Sequence, residues 1–285
     1  MVAIAVQARA KLNLFLHVVG KRADGYHELA SQVVFPDLAD MLTFEESDLL
    51  TLVVHGEFAG DSGAMADNLV LRAARLLQQE TATKRGARIT LEKNIPVGAG
   101  LGGGSADAAA TLRALNTLWA LHLEPDALAD IGAELGADVP MCVFSRHLYA
   151  TGIGDEIEFL SLPQLFPIWA VLVYPRIPLA TAHVYALVTD EEVARHQFAG
   201  SAWVHRSLAQ TRNDLQRAAI AVSPIVGEVL LAMETQLPEP DLVRMTGSGA
   251  CCFALFLSEE DAQRYAGAMQ RDHPAWWVRM AKVEE

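Results

Sequence analysis

An α+β fold built as two domains is the fold class that the chain predicts, on three observations. Strand-like alternation and helical spacing of apolar residues mix irregularly, without the regular β-α-β-α succession of a doubly wound sheet. The 285 residues, 52% of them hydrophobic, suffice for one large core or two smaller ones, and the length favours about two domains. The pattern restarts near residue 163, which predicts an N-terminal domain over 1–162 and a C-terminal domain over 163–285.

Strands dominate the start of the first domain. We interpret "VAIAVQARAKLNLFLHVVG" as strand, bend and strand, "KRADGYHEL" as a turn around Asp-Gly, and "SQVVF", "DMLTFEE" and "LLTLVVHG" as strands. Asp67 is predicted to cap a helix. "ARITLEKNIP" returns to strand spacing, and a glycine-rich loop then leads to a helix that Ser105 opens. A short helix around Leu128 and a hairpin around Gly152 and Gly154 complete the domain.

The second domain repeats a mixed pattern. "PIWAVLVYP" is predicted to be a strand, and a polar, helical stretch follows to about Arg212. Ser223 and Pro224 open an apolar helix. "LVRMTGSGACCFALFLS" has the pattern of strand, glycine turn and strand. Ser258 and Asp261 form a capping-box pattern for the next helix, and "AWWVRMAKV" is the closing strand.

Charge and cysteine usage restrict the functional class. The formal net charge of −13 argues against a nucleic-acid partner, which a basic face would attract. Cys142, Cys251 and Cys252 suit neither a zinc site nor a disulfide framework, so we predict core residues in a reducing compartment. The apolar N-terminus lacks a basic leader and a cleavage site, and no uncharged apolar run reaches membrane-spanning length. We therefore expect a cytoplasmic protein without a membrane partner.

A glycine-rich loop is the most informative stretch of the sequence. "GAGLGGGSAD", from Gly98 to Asp107, contains five glycines within seven positions ahead of a helix. Its Gly-x-Gly-x-x-Gly spacing matches a dinucleotide fingerprint, but the loop does not follow the first strand of a βαβ unit, and no ribose-binding acid follows. No Gly-Lys-Ser/Thr closes the run, which argues against a Walker loop. Free amides at a helix N-terminus favour an anion, so we predict phosphate binding over a plain glycine-rich turn.

Lys11 and Asp138 are candidates for phosphoryl transfer. Lys11 interrupts the apolar strand segment "AKLNLFL", where the alternative is an edge-strand lysine with its head in water. Asp138 lies in "LGADVP", where the alternative is a helix N-cap ahead of Pro140. Transfer of a phosphoryl group to an alcohol needs a carboxylate to accept the hydroxyl proton and a cation to offset developing charge. One residue of each kind near a phosphate-binding loop would suffice.

Four motifs resemble those of the GHMP kinase superfamily. They are "AKLNLFLHVVGKRADGYHEL", "KNIPVGAGLGGGSADAA", "LGADVPMCVF" and "MTGSGACCF", in this order from Ala10 to Phe253. "AKLNLFL" and "GKRADGYHEL" are similar to members that act on a cytidine-diphosphate-linked methylerythritol in the non-mevalonate isoprenoid route. The resemblance implies a two-domain α+β kinase that binds ATP against the glycine loop, in a cleft between the domains. It implies transfer of the ATP γ-phosphoryl group to the 2-hydroxyl of that substrate.

The resemblance also assigns roles to individual residues. Asp138 would be the general base and Lys11 its cationic partner, while Tyr26, His27 and Tyr185 would hold the cytidine base. The set implied for the substrate is Asn13, Tyr26, His27, Tyr185, Thr246, Gly247, Ser248 and Gly249. The set implied for ATP is Asn68, Lys93, Pro96, Val97, Gly98, Ala99, Gly100, Leu101, Gly102, Gly103, Gly104, Ser105 and Ala106. Mg²⁺ is expected with ATP, although no acidic cluster in the sequence identifies its ligands.

Other interpretations stay open at this point. Tyr26 and His27 could form a solvated loop pair, Tyr185 could pack on a helix surface, and Asn68 could simply begin its helix. A different kinase of the superfamily, acting on mevalonate-like, homoserine or sugar alcohols, shares the glycine loop. A dinucleotide-dependent oxidoreductase fits the glycine spacing alone, and a non-catalytic nucleotide-binding module fits the loop without the Lys-Asp pair.

Overall fold

A computed structural model describes residues 3–61, 67–161, 167–189 and 208–284 of the chain. The strands described are β1 (Ala3–Arg9), β2 (Leu12–Lys21), β3 (His27–Val34), β4 (Ala39–Ser47), β5 (Leu50–His55), β6 (Gly86–Glu92), β7 (Leu148–Thr151), β8 (Glu156–Phe159), β9 (Ile168–Tyr174), β10 (Leu242–Met245), β11 (Cys252–Phe256) and β12 (Trp277–Val283). The helices described are α1 (Leu69–Thr81), α2 (Gly103–Leu118), α3 (Pro125–Ala133), α4 (Val139–Phe144), α5 (Thr181–Tyr185), α6 (Leu215–Val222), α7 (Ile225–Thr235) and α8 (Glu259–Asp272).

The chain forms two compact units. The first unit comprises the chain up to Lys11 together with Leu38–Val97 and Gly102–Arg146. Its sheet has the strand order β1-β4-β6-β5, in which the β5–β6 pair is parallel and the other pairs are antiparallel. Helix α2 packs against β1 and β4 and against the other three helices of this unit. The unit therefore has one sheet covered by helices around an apolar core.

The second unit comprises Leu12–Asp37, Gly98–Leu101 and the chain from His147 onward. It contains two antiparallel sheets, with strand orders β2-β3-β7-β8 and β10-β11-β9-β12. Helix α8 packs on β9, β11 and β12, and buries Tyr265, whose hydroxyl donates to the Met233 carbonyl at 2.5 Å. Predominantly antiparallel sheets with helices laid against them are the α+β class that the sequence predicts.

The two units are not continuous in sequence. Each is assembled from separate stretches, whereas the sequence suggested one boundary between residues 162 and 163. The continuous division into domains stays a prediction.

Two predicted helix starts are wrong by one or two residues. Helix α1 begins at Leu69, and its N-cap is Asn68, whose side chain accepts a hydrogen bond from the Val70 amide at 2.9 Å, rather than Asp67. Helix α2 begins at Gly103 rather than at Ser105, and its N-cap Gly102 has a φ of +65°. Glycine adopts this left-handed conformation without a steric penalty, so the helix can begin inside the glycine run.

The C-terminal half contains a helix that the sequence analysis missed. Helix α6 lies inside the segment before Ser223, which received no assignment. Of the predicted polar helical stretch before Arg212, the structure describes α5 and a 3₁₀ turn at Leu208–Gln210, and residues 190–207 lie outside the described residues. The predicted cap of α8 is confirmed, since the Ser258 hydroxyl accepts a hydrogen bond from the Asp261 amide at 3.3 Å.

The cysteines are buried and unpaired, as expected for core residues. Burial raises the pKa of the Cys142 thiol to about 12 and raises those of Cys251 and Cys252 as well. Among the described residues, no single helix has the length and apolar composition to cross a membrane. Helices α6 and α7, which are bent by 120° relative to each other, reach that length and apolar composition only when they are taken together.

Candidate active site

Lys11 and Asp138 form an ion pair in the first unit. The Lys11 Nζ lies 3.1 Å from the Asp138 Oδ2. Lys11 follows β1 instead of continuing a strand, and its side chain is only 8% exposed, so an edge-strand lysine with its head in water is excluded. The Asp138 side chain is 39% exposed. A cation shielded from water thus holds a carboxylate that an incoming molecule can reach.

The Asp138 carboxylate does not cap the helix that follows it. Asp138 occupies the N-cap position of α4, but its side chain makes no capping hydrogen bond there. Capping would require a side-chain oxygen to accept from the second or third amide of the helix. Asp138 therefore has the predicted N-cap position ahead of Pro140, but its carboxylate contacts Lys11 instead of capping the helix.

The Lys11–Asp138 pair lies beside the first turn of α2. A Cβ atom on Gly102 would lie 2.6 Å from the Lys11 Cγ, so only glycine fits beside this lysine. Helix α2 has neither a capping side chain nor an acidic residue in its first turn. The first amides of an uncapped helix, reinforced by the helix dipole, attract an anion. Ser105 and Ala106 belong to this turn, so the predicted phosphate site and the ion pair are neighbours.

The first part of the glycine loop packs within the second unit. The Gly98 carbonyl accepts a hydrogen bond from Leu179 and the Ala99 carbonyl accepts one from Cys251, both at 3.1 Å. A Cβ atom on Gly100 would lie 2.5 Å from the Thr246 carbonyl oxygen, and Gly100 has a φ of +80°. The start of the glycine loop and the second glycine turn, which is Thr246–Ala250, therefore pack backbone against backbone. This close approach by itself accounts for glycine at position 100, with no need for a bound phosphate. The anion site is therefore inferred from the first turn of α2.

Asn13 and Thr246 meet in the second unit. The Asn13 backbone amide donates to the Thr246 hydroxyl at 3.0 Å, and both residues are buried. The Asn13 side-chain amide donates to Ser31 at 2.7 Å, and the Ser31 hydroxyl donates to the Phe15 carbonyl at 2.6 Å. These bonds hold the start of β2 against the second glycine turn, so the structure brings two of the predicted substrate residues together.

Aromatic residues predicted to hold a cytidine base also lie in the second unit. The rings of His27 and Tyr185 stack with centroids 5.3 Å apart and an interplanar angle of 30°. Burial, helped by the charge of Lys21, lowers the pKa of His27, which favours a neutral imidazole at physiological pH. Tyr26 precedes His27 in the turn and is 60% exposed. At the other end of α5, the Thr181 and Ser248 hydroxyls are hydrogen-bonded at 3.0 Å, which links this helix to the second glycine turn.

Lys93 lies in a buried charge cluster of the first unit. Its ammonium group contacts the Asp40 carboxylate and donates to the Asp107 Oδ2 at 2.7 Å, and all three residues are buried. Burial raises the pKa of Asp107 to about 8 in spite of Lys93, and no group among the described residues donates a hydrogen bond to its Oδ1. Burial by itself would lower the pKa of Lys93, but the neighbouring carboxylates of Asp107 and Asp40 outweigh burial, and the pKa of Lys93 is raised. A Cβ atom on Gly103 would lie 3.0 Å from the Lys93 Nζ, so the cluster lies directly beneath the first turn of α2.

The cluster uses the Lys93 side chain for protein contacts. Asp40 also accepts hydrogen bonds from the Asn94 and Ile95 amides, the latter at 2.8 Å, so it holds the chain where β6 turns toward the glycine loop. The Asn68 side chain is likewise engaged as a helix cap. The roles of Lys93 and Asn68 toward ATP remain predictions. Both side chains are already engaged by groups of the protein, which disfavours their direct contact with the nucleotide.

Asn213 is a site-forming residue that sequence reasoning missed. Its buried side-chain amide donates to the Met245 and Gly247 carbonyls, each at 2.8 Å, and its oxygen accepts from the Leu215 amide at 2.9 Å. It therefore holds both sides of the second glycine turn. The available signal was "RND" directly ahead of an apolar run, which is typical of a helix start, but that signal gives no hint of the distant turn.

Comparison with known protein families identifies two matching regions. A family model described as the GHMP kinases N terminal domain matches residues 68–146, and one described as GHMP kinases C terminal matches residues 202–275. Among curated proteins, the chain is 45% identical to a 4-diphosphocytidyl-2-C-methyl-D-erythritol kinase of Parvibaculum lavamentivorans. The alignment covers 96% of this chain and 96% of that protein.

Solved structures give a consistent result. A crystal structure of 4-(cytidine 5'-diphospho)-2C-methyl-D-erythritol kinase matches with a TM-score of 0.81 at 33% identity, over 99% of this chain and 100% of that one. A homoserine kinase from Cytophaga hutchinsonii matches with a TM-score of 0.71 at 21% identity, over 99% of this chain and 95% of that one. The second likeness concerns the fold alone.

Proposed function

The chain belongs to the GHMP kinase family, and on that premise we propose that it transfers the γ-phosphoryl group of ATP to the 2-hydroxyl of 4-diphosphocytidyl-2-C-methyl-D-erythritol. The products are the 2-phosphate and ADP. The observation that carries this proposal is the identity of 45% over nearly the whole chain to a kinase of that name. The family resemblance and the kinase activity expected from the sequence are thereby confirmed.

Asp138 is the general base of the proposed reaction. Its carboxylate is the reachable member of the ion pair, and at 39% exposure it can approach a bound hydroxyl group. It accepts the hydroxyl proton as the oxygen attacks the γ-phosphorus. Lys11 keeps the carboxylate in place and offsets negative charge on the moving phosphoryl group. Because Lys11 is shielded from water, its charge acts over a short distance with little screening.

The first turn of α2 is the proposed site for the ATP phosphates. Its amides have no capping side chain and so can donate hydrogen bonds to phosphate oxygens. These donors are fixed before the reaction and need little reorganisation as charge develops. The Asp40–Lys93–Asp107 cluster beneath the turn supports this arrangement, since it anchors both the end of β6 and the start of α2.

Tyr26, His27 and Tyr185 are the proposed contacts of the cytidine base. The exposed Tyr26 ring offers a stacking face, and the neutral His27 imidazole can exchange a hydrogen bond with an uncharged base. Asn13 and Thr246, already hydrogen-bonded to each other, are the proposed contacts of the acceptor part of the substrate.

Magnesium enters the proposal as part of the substrate MgATP. Within the described ranges, no group of three or more His, Cys, Asp or Glu side chains could hold a metal ion. Mg²⁺ bound with a nucleotide commonly keeps several waters and is held largely through phosphate oxygens, so MgATP can bind without a dedicated metal site on the protein. We place the reaction in the cytoplasm, because three unpaired cysteines suit a reducing compartment.

A coupled assay of ADP release tests the proposed function. The purified chain is incubated with MgATP and, in separate reactions, with the cytidine substrate, mevalonate, homoserine and galactose. We expect kcat/KM for the cytidine substrate to exceed the others by at least about 10²-fold, because stacking and hydrogen bonding to the base serve that substrate alone. Equal or higher values with another alcohol would contradict the substrate, and no ADP release with any acceptor would contradict the kinase.

A further inference from the structure

Helix α4, which begins directly after Asp138, is too short to define its own position. It has six residues, and isolated helices of that length are unstable in water. Its N-cap residue makes no side-chain hydrogen bond to the helix. The orientation of the Asp138 carboxylate therefore depends on what the rest of the first unit does to hold this helix.

Arg113, on α2, satisfies the C-terminal carbonyls of α4. Its Nη1 donates to the Cys142 carbonyl at 2.7 Å and to the Val143 carbonyl at 3.0 Å. The Met141 carbonyl accepts from the Ser145 amide, and one guanidinium group donates to the next two carbonyls. Carbonyls in the last turn of a helix have no partner within the helix, which makes this a stabilising contact.

The same guanidinium group reaches the strand that leads to Lys11. The Arg113 Nη2 donates to the Gln7 carbonyl of β1 at 3.3 Å, and β1 ends at Arg9, two residues before Lys11. Cys142, which Arg113 holds, donates its amide to the Asp138 carbonyl at 3.4 Å. Arg113 thus connects the elements that carry Asp138 and Lys11, and it does so from the helix whose first turn is the proposed phosphate site.

We propose that Arg113 is a positioning residue for phosphoryl transfer, holding α4 and β1 so that Asp138 keeps its place beside Lys11. The hydrogen bonds of its guanidinium group go to the backbone of the elements that carry the ion pair, and Arg113 acts through that backbone. The proposal rests on the proposed function, in which Asp138 is the general base. Kinetics can separate the two because a positioning residue matters only while the base that it positions is present.

A double-mutant cycle measured with the coupled ADP assay tests this role. Since small displacements of a reacting group cost one to two orders of magnitude in rate, we expect Arg113→Met to lower kcat about tenfold. The KM values for ATP and for the cytidine substrate should stay within about twofold, because neither binding site is altered. In an Asp138→Asn background, the same substitution should change kcat by less than about twofold.

Two further variants serve as controls. Arg113→Lys keeps a cationic donor but replaces the guanidinium fork, which reaches three carbonyls, with one ammonium group, so its kcat should lie between those of wild type and Arg113→Met. Arg85 is the matched control, because its Nη1 donates at 3.0 Å to Trp119, the C-cap of α2, at the end of that helix away from the site. Arg85→Met should leave kcat unchanged.

Specific outcomes would overturn the proposal. Unchanged kcat in Arg113→Met, or an equal loss in the wild-type and Asp138→Asn backgrounds, would show a role in stability alone. Normal turnover in Asp138→Asn by itself would instead contradict the assignment of the base. Should Arg113→Met fail to fold, Arg113→Lys is measured in both backgrounds, and equal losses there contradict the proposal.

Discussion

Replacing Gly100 by alanine tests the backbone packing of the two glycine turns. The new Cβ atom would lie 2.5 Å from the Thr246 carbonyl oxygen and 2.9 Å from the Gly249 nitrogen, and both are backbone atoms that cannot rotate away. The left-handed φ of +80° adds a penalty of about 1–2 kcal/mol for alanine. The overpacking adds about 1–3 kcal/mol. Alanine also makes the unfolded chain less flexible, which offsets about 0.4–1 kcal/mol of this loss of stability. We expect a net destabilisation of about 2–4 kcal/mol.

Two other glycines separate these contributions. Gly25 has a φ of +90°, and no atom of the described part of the chain lies within 4 Å of an added methyl group, so Gly25→Ala carries the backbone penalty alone. At Gly60, no atom of the described residues lies within 4 Å of an added methyl group and φ is not positive, so Gly60→Ala reports only the change of residue type. We expect losses of up to about 1.5 kcal/mol for Gly25→Ala and no more than about 0.5 kcal/mol for Gly60→Ala.

Differential scanning calorimetry at matched protein concentration is the assay. At about 2–4 °C per kcal/mol for a chain of this size, Gly100→Ala should lower Tm by about 4–16 °C and Gly25→Ala by at most about 6 °C. Equal Tm values for the Gly100 and Gly25 variants would refute the reasoning, because they would show that the Thr246 carbonyl does not restrict position 100.

Three further predictions concern the general base, the binding of the cytidine base and the pH dependence of stability. Asp138→Asn should lower kcat at least about 10²-fold while the Kd for ATP, measured by calorimetry, stays within about threefold, and turnover within about tenfold of wild type would contradict the base assignment. Tyr26→Ala should raise KM for the cytidine substrate about 5- to 150-fold, from the loss of about 1–3 kcal/mol of stacking, and a selective rise in KM for ATP would contradict that contact. Asp107 has a pKa raised by burial to about 8, so the folded chain retains a proton that the unfolded chain releases. The contribution of Asp107 to stability should therefore fall as pH rises from about 4 to about 8. Urea unfolding near pH 5.5 and pH 8.5 should show a smaller loss of stability between the two pH values for Asp107→Asn than for wild type. An equal loss in the two proteins would contradict the raised pKa.

Local patterns were sufficient for most strands and helices. Alternation in "LLTLVVHG" and the turn glycines near Gly152 predicted β5 and the β7–β8 hairpin, because strand period and turn chemistry depend on neighbouring residues. The same holds for the Ser258 cap of α8. The two misplaced helix starts show the limit of such signals. Asp67 and Asn68 are both good caps, and only the course of the backbone chooses between adjacent candidates.

Recognition of the kinase family also came from the linear sequence, because the residues that define it are grouped in four short motifs between Ala10 and Phe253. Phosphate-binding loops and their neighbouring helix are local constructions, so their signature is local as well. The number of glycines in the loop does not by itself identify a phosphate site. Gly100 and Gly102 are required by close contacts with Thr246 and Lys11, which lie far away in the chain.

The residues that hold the site in place were decided by the folded chain alone. Asn13 meets Thr246 across 233 positions, and Arg113 meets the α4 carbonyls across about thirty. Asn213 likewise holds a turn more than thirty positions away. A buried polar side chain must find a hydrogen-bond partner, but nothing in its own neighbourhood of the sequence says which distant backbone group will supply one. Residue types and spacing identified the chemistry of this protein, and long-range packing selected the groups that keep that chemistry in position.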